Sequence, residues 1–177
     1  MTKIESISPN GTKHHGDKGL AEGSWKGMKK YLEQEMLCPA LRGRLTYDLT
    51  RFRSTGDEGT VFTVCLDGQP VKQFGFQLAA KALRDQGFVI RHAWDIPFDQ
   101  RDEYTDDEFA ESLKAYRNQP IDQSIASENP IIRMFAIVDR RIGKRRLERL
   151  KDEVDQQPEW LRLLYAVRLQ AAGIIAG

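Results

Sequence analysis

The chain has 177 residues, 40% hydrophobic and 30% charged, which is enough apolar material for a packed core in one large domain or two small ones. Its 27 basic and 26 acidic side chains leave a net charge of +1, so no global field points to nucleic acid or membrane, and either function needs a local patch. No apolar run reaches the ~18 residues of a membrane span, the N-terminal stretch lacks the apolar core of a secretory signal, and two cysteines cannot frame a disulfide scaffold, so the reducing cytoplasm is the expected setting.

Residues 1–22 are polar and aperiodic and read as a flexible tail. His14 and His15 lie in it, short of the three or four convergent ligands of a metal site. Residues 23–104 predict an α+β domain. Ser24 can cap a helix whose apolar face is Trp25, Met28, Leu32 and Met36, with Pro39 ending it. Leu45, Tyr47 and Leu49 alternate with Thr46, Asp48 and Thr50, a strand pattern. "TVFTVCL" is a second strand, Asp67-Gly68 a tight hairpin turn, and "QPVKQFGF" a third strand at the edge, where Pro70 is tolerated. The first helix is the natural cover for one face of this meander. "FQLAAKALRDQG" predicts a helix with Leu78, Ala79, Ala82 and Leu83 inward and Gly87 as its stop. "FVIRHAWDIPF" reads as a short strand or buried connection, and "DQRDEYTDDE" as an acidic, solvated linker with a boundary near Tyr104.

Residues 105–177 predict a helical domain. Thr105 and Glu108 form a capping box ahead of Phe109, Leu113 and Tyr116. Pro120 opens a short helix with Ile121 and Ile125. Asn129-Pro130 opens another with Ile131, Phe135, Val138 and Ile142 on one face, broken at Gly143. Leu147, Leu150 and Val154 mark the next. Pro158 starts the last, with Trp160, Leu161, Leu164, Val167 and Ala171. The prolines of "NPIIRMFAIVDRR" and "QPEWLRLLYAVRL" are 28 residues apart, and Arg133 and Arg162 are 29 apart. This self-similarity is like that of HEAT-type repeats, which stack helical hairpins, and an ordinary bundle is the competing reading. The expected fold is therefore α+β: an N-terminal helix packed on a small antiparallel β-meander, followed by a C-terminal all-helical hairpin array.

The strongest local feature is a basic run. Arg140, Arg141, Lys144, Arg145, Arg146 and Arg149 fall within ten residues. Lys144, Arg145, Arg146 and Arg149 occupy the first two turns of a helix, where exposed cations oppose the macrodipole by about 0.3–1 kcal/mol each. Something should offset this: the carboxylates of Asp139, Glu148, Asp152, Glu153 and Asp155, the carbonyls of the preceding helix, or an anionic partner. Between Asn129 and Asp155 there are eight basic and five acidic residues, less excess than a protein making several phosphate contacts usually shows. The run is first read as a salt-bridged joint between helices. Arg140, Arg141, Lys144, Arg145 and Arg149 are the candidate contacts for an anion, nucleic acid or protein partner.

"MLCPALRGRLTYDLTRFR" and "NPIIRMFAIVDRRIGKRRLERL" together resemble a family of small uncharacterised proteins, mostly from Gram-positive bacteria. The matching features are Trp25, Leu37-Cys38, Gly43-Arg44, Asp139-Arg140-Arg141 and Gly143-Lys144-Arg145. The resemblance covers roughly Ser24 to Gly173. It implies one working unit and carries over no catalytic residue.

No phosphate-cradling loop, H-E-x-x-H, C-x-x-C or G-x-S-x-G element occurs. Cys38 with His92 as base is a conceivable nucleophile pair, but its apolar neighbours suit a buried structural thiol, as do those of Cys65. His92 beside Trp94 and Asp95 could act as a base, and more often such a residue is part of the core. The acidic group Asp102, Glu103, Asp106, Asp107 and Glu108 lacks the spacing of a calcium loop. Arg44, Arg51 and Arg53 with Tyr47 and Phe52 form a second basic-aromatic patch that could stack on single-stranded nucleic acid. The leading expectation is a non-enzymatic cytoplasmic binding or adaptor protein, with a protein partner on the helical half and no cofactor. The alternatives are a nucleic-acid-binding protein using residues 140–149, and an enzyme of unknown chemistry using a groove near His92 and Trp94.

Overall fold

The computed structural model describes residues 24–54, 57–89 and 95–177. The Ser24 hydroxyl accepts from the Gly27 N–H at 3.2 Å and starts α1, Trp25–Lys30. The helix does not stay α-helical to its end. It widens into a π-helix at Tyr31–Glu35, where Met36 N–H donates to the Tyr31 carbonyl. From this turn the Glu33 carboxylate accepts the Tyr47 N–H at 2.7 Å, which occupies a backbone donor on the outer strand of the sheet.

Strands β1 (Leu45–Ser54), β2 (Asp57–Leu66) and β3 (Gln69–Phe74) form an antiparallel sheet in the order β1-β2-β3. Asp67 and Gly68 close the second hairpin with φ of 51° and 79°, as a type I′ turn requires. The register pairs Leu45 with Leu66, Tyr47 with Val64, and Phe62 with both Leu49 and Phe74. These residues share one face, and all but Leu49 are buried. A bulge at Val64/Cys65 shifts β3 by one residue. Uninterrupted pairing from Gln69 would put Val71 opposite Val64. The bulge puts Lys72 there, and so turns a lysine onto the buried face.

Helix α2, Phe76–Asp85, buries Ala79, Ala80 and Leu83. Leu78, expected inward, is 38% exposed and faces a groove. The later helices are α3 (Asp106–Asn118), α4 (Ile121–Ile125), α5 (Pro130–Ile137), α6 (Lys144–Leu150) and α7 (Glu159–Ala171). The capping box at Thr105 and Glu108 is present, and Asn129 Oδ1 accepts the Ile131 N–H at 2.9 Å. Helix α5 stops at Ile137, five residues before the expected end. Residues 138–142 leave the helix because Leu37 and Asp139 form an antiparallel bridge: Cys38 N–H donates to Val138 C=O at 2.9 Å and Arg140 N–H to Met36 C=O at 2.8 Å.

The buried face of the sheet meets α1 and the later helices together. Trp25 lies 5.4 Å from Phe62 and Phe62 stacks on Phe109 at 4.3 Å; Phe109 meets Phe135 edge-on at 5.3 Å, and Phe135 stacks on Tyr116 at 5.4 Å. Such ring pairs each add about 0.5–1.5 kcal/mol beyond area burial. Met28, Val64, Leu113, Ile131 and Leu164 belong to one buried cluster. The stretch read as a solvated acidic linker is only partly so: Asp99, Gln100 and Asp102 are exposed, while Arg101, Tyr104, Thr105, Asp106 and Asp107 are buried. Arg101 makes this possible. Its guanidinium donates to both Glu108 carboxylate oxygens at 2.6 and 3.2 Å and lies over the rings of Phe98 and Tyr104.

Candidate functional site

The basic run is divided by its surroundings. Asp139, 1% exposed, sits at the bridge that ends α5. Its carboxylate accepts the Tyr116 hydroxyl, the Arg141 N–H at 2.7 Å and the Arg141 guanidinium at 2.7–3.1 Å. The Arg141 guanidinium also lies 5.8 Å from the Tyr116 ring centre. Burial pushes the Tyr116 hydroxyl above its ordinary range, and the neighbouring Asp139 charge adds to it. The hydrogen bonds to Asp139 raise Arg141 further above its ordinary value, so this guanidinium stays charged. Next along the run, Arg146 pairs with Asp122 of α4. Below the turn, Arg168 Nη2 donates to the Ile142 carbonyl at 3.1 Å.

The other four are different. Arg140, Lys144, Arg145 and Arg149 are exposed and make no ion pair among the described residues. The first turn of α6 contains no acidic residue. The macrodipole conflict is thus relieved by an ion pair at Arg146 and left standing at Lys144 and Arg145. Of the five expected contacts, Arg141 is a structural residue and four are outward-facing.

A second site was not foreseen. A groove of about 500 Å³ runs between β3 and α2. Pro70, Val71, Lys72 and Gln73 form the strand side, Leu78, Lys81, Ala82 and Asp85 the helix side, with Glu103 and Trp160 completing the lining. Among the described residues, strand β3 has a neighbour only on its β2 side. Just past its end, Gly75 N–H donates to the Tyr104 carbonyl at 3.1 Å, so the free edge is limited to the strand itself. The inward-turned Lys72 places its ammonium 5.5 Å from the Trp160 ring centre and 5.7 Å from that of Tyr104. It also pairs with Glu103 at 3.1 Å and donates to the Asp102 carbonyl. Lys81 and Asp85 pair at 2.6 Å, so the groove's charges are matched in place. Pro70 was the only signal in the sequence, as a mark of an edge strand. The bulge and the approach of Trp160 had none.

The remaining sequence candidates separate in the fold. Arg44 makes a two-point pair with Asp67 at 2.9 Å, and that bond holds the Asp67 carboxyl below its ordinary range. The Phe52 ring covers Gly59 on the neighbouring strand, and Arg51 is not free. Tyr47 is buried and the Arg53 side chain lies outside the described residues, so among the described residues the second basic-aromatic patch does not assemble as an open stacking face. Burial pushes the Cys38 and Cys65 thiols up, away from a nucleophile's range. His14, His15, His92 and Trp94 lie outside the described residues. Among the described residues no group of three or more His, Cys, Asp or Glu is placed to hold a metal ion, and no helix is long and apolar enough to cross a membrane.

Among known families, the SF0329 protein family matches over residues 24–169, nearly the span that the sequence resemblance covers. No curated protein and no solved structure matches the chain.

Proposed function

We propose that this chain, which belongs to the SF0329 protein family, is a non-enzymatic binding protein of adaptor type acting in the bacterial cytoplasm, and that an extended segment of a protein partner enters the groove beside β3. Support comes from the groove itself. Its volume of about 500 Å³ falls among those of ligand sites, roughly 300–1,000 Å³. A strand edge supplies main-chain donors and acceptors, a helix wall supplies side-chain contacts, and an extended peptide matches both. The paired charges suit a neutral segment, whose side chains would meet Leu78, Ala82 and Trp160. The similarity of the two proline-led segments to stacked helical hairpins enters the proposal as a rigid base, with α7 bringing Trp160 to the groove.

The test is selection of peptides from a displayed random library, followed by amide-exchange mapping with the selected peptide bound. Protection is expected along β3 and α2. The variant Leu78→Arg, which changes a 38% exposed side chain, should weaken the peptide at least tenfold without altering the fold. Protection elsewhere, with Leu78→Arg neutral, defeats the reading.

A further inference from the structure

We infer that Arg140, Lys144, Arg145 and Arg149 form a contact for the phosphate backbone of a nucleic acid. This surface does not share residues with the groove. The argument begins with the contrast inside one run. Two of six cations have carboxylates built for them, Arg141 through Asp139 two residues before it and Arg146 through Asp122, 24 residues before it. Four are exposed and make no ion pair among the described residues. The fold that solves the local charge conflict at Arg146 leaves it unsolved at Lys144 and Arg145, and a rule broken without compensation inside the fold marks a surface kept for a partner.

The four are also presented on a fixed base. The Leu37–Asp139 bridge, the Asp139–Tyr116–Arg141 network and the Arg168 bond to Ile142 hold the turn that carries Arg140 and leads into α6. Arg145 and Arg149 lie one helical turn apart on a single face. Charge complementarity selects an anion, and repeated positive charge along a turn and a helix selects a polyanion over a single ion. Three of the four are arginines, whose planar fork of donors suits phosphate oxygens. Glu148 is the one exposed carboxylate among them in the sequence, and the exposed acidic residues Asp152, Glu153 and Asp155 follow the run in the chain. A net charge of +1 for the whole chain gives no global field to add to this patch, so the binding is modest. The bases are not read: backbone contacts of this kind fix position and carry no sequence information.

The experiment is a fluorescence-anisotropy titration of the full chain with labelled duplex DNA, duplex RNA and single strands at two salt concentrations. Four phosphate contacts on duplex DNA predict a log–log salt slope near −3.6, which is roughly a 100-fold loss of affinity between 50 and 200 mM salt. The double variant Arg145→Glu with Arg149→Glu should abolish binding with an unchanged circular-dichroism spectrum, and Lys144→Ala alone should reduce the slope by about 0.9. Leu78→Arg in the groove should leave the titration unchanged, which keeps this inference separable from the peptide reading. No binding at 50 mM salt, or binding that survives the double reversal, overturns the inference. Binding to vesicles of anionic lipid without binding to nucleic acid also overturns it and assigns the patch to a membrane surface.

Discussion

At the scale of the residue, Asp139 organises the joint. It is buried, it accepts from Tyr116 and Arg141, and its backbone takes part in the bridge to Leu37. Removing a buried charge that satisfies others leaves desolvated groups without partners. Asp139→Ala should cost about 3 kcal/mol in urea unfolding. Arg141→Ala should cost less, about 1–2 kcal/mol, because removing a side chain that is 41% exposed admits water to Asp139, which also keeps the Tyr116 hydroxyl and the backbone N–H of residue 141. Equal costs would mean that the arginine, and not the carboxylate, organises the turn. The sequence already named Asp139 among the groups able to offset the basic run, because it stands two residues from Arg141. It offered no hint of Asp122, which lies 24 residues before Arg146.

At the scale of the element, the β1–β2 hairpin extends past the end of β3. Beyond the Phe62–Phe74 pair it is, among the described residues, a two-stranded ribbon, which is marginal alone in water. Here Phe52 lies across the strand on Gly59, and a Cβ at Gly59 would collide with the ring. Gly59→Ala should therefore destabilise by about 1–3 kcal/mol through overpacking. In a Phe52→Ala background the same change should be neutral or slightly stabilising, since alanine loses less backbone freedom than glycine. A thermal-unfolding cycle over the four variants tests this, and an equal cost in both backgrounds would remove Phe52 from the account. Strand alternation, the Asp67-Gly68 turn, the capping box at Thr105 and the Asn129 cap were legible because each rests on neighbours within four residues. The π-helix at Tyr31–Glu35 and the early end of α5 were not. Both depend on what another segment places beside them: β1 in one case and Leu37 in the other.

At the scale of the whole molecule, all five tyrosines sit above the ordinary value of 10.0, burial being the largest cause for each. A folded value above the unfolded one means that the native state holds the proton more tightly. That contribution is complete below the unfolded value near 10 and is lost as pH rises towards the folded values. Phenolate absorbance from the buried Tyr47, Tyr104, Tyr116 and Tyr165 should appear only above pH 10, together with loss of the circular-dichroism signal. Phenolate appearing near pH 10 with the fold intact would show that these rings are open to water. The same core explains the correction at residues 101–107. A run of Asp and Glu reads as solvated, but Arg101, flanked by the rings of Phe98 and Tyr104, goes inside with Asp106 and Asp107, while Asp99 and Asp102 stay exposed.

By itself the sequence determined the α+β class, the order of the elements, their caps and turns, and the existence of a basic run, because these follow from periodicity and from bonds between near neighbours. Tertiary structure alone decided which charges are paired and which surfaces are left open. Tyr116 reaches Asp139 and Asp122 reaches Arg146 only when α3, α4 and the turn before α6 come together. Lys72 turns inward only because of a bulge, and it meets Trp160 from the far end of the chain only in the folded core. Charge pairing and groove formation depend on contacts between residues distant in sequence, and no local pattern encodes those distances.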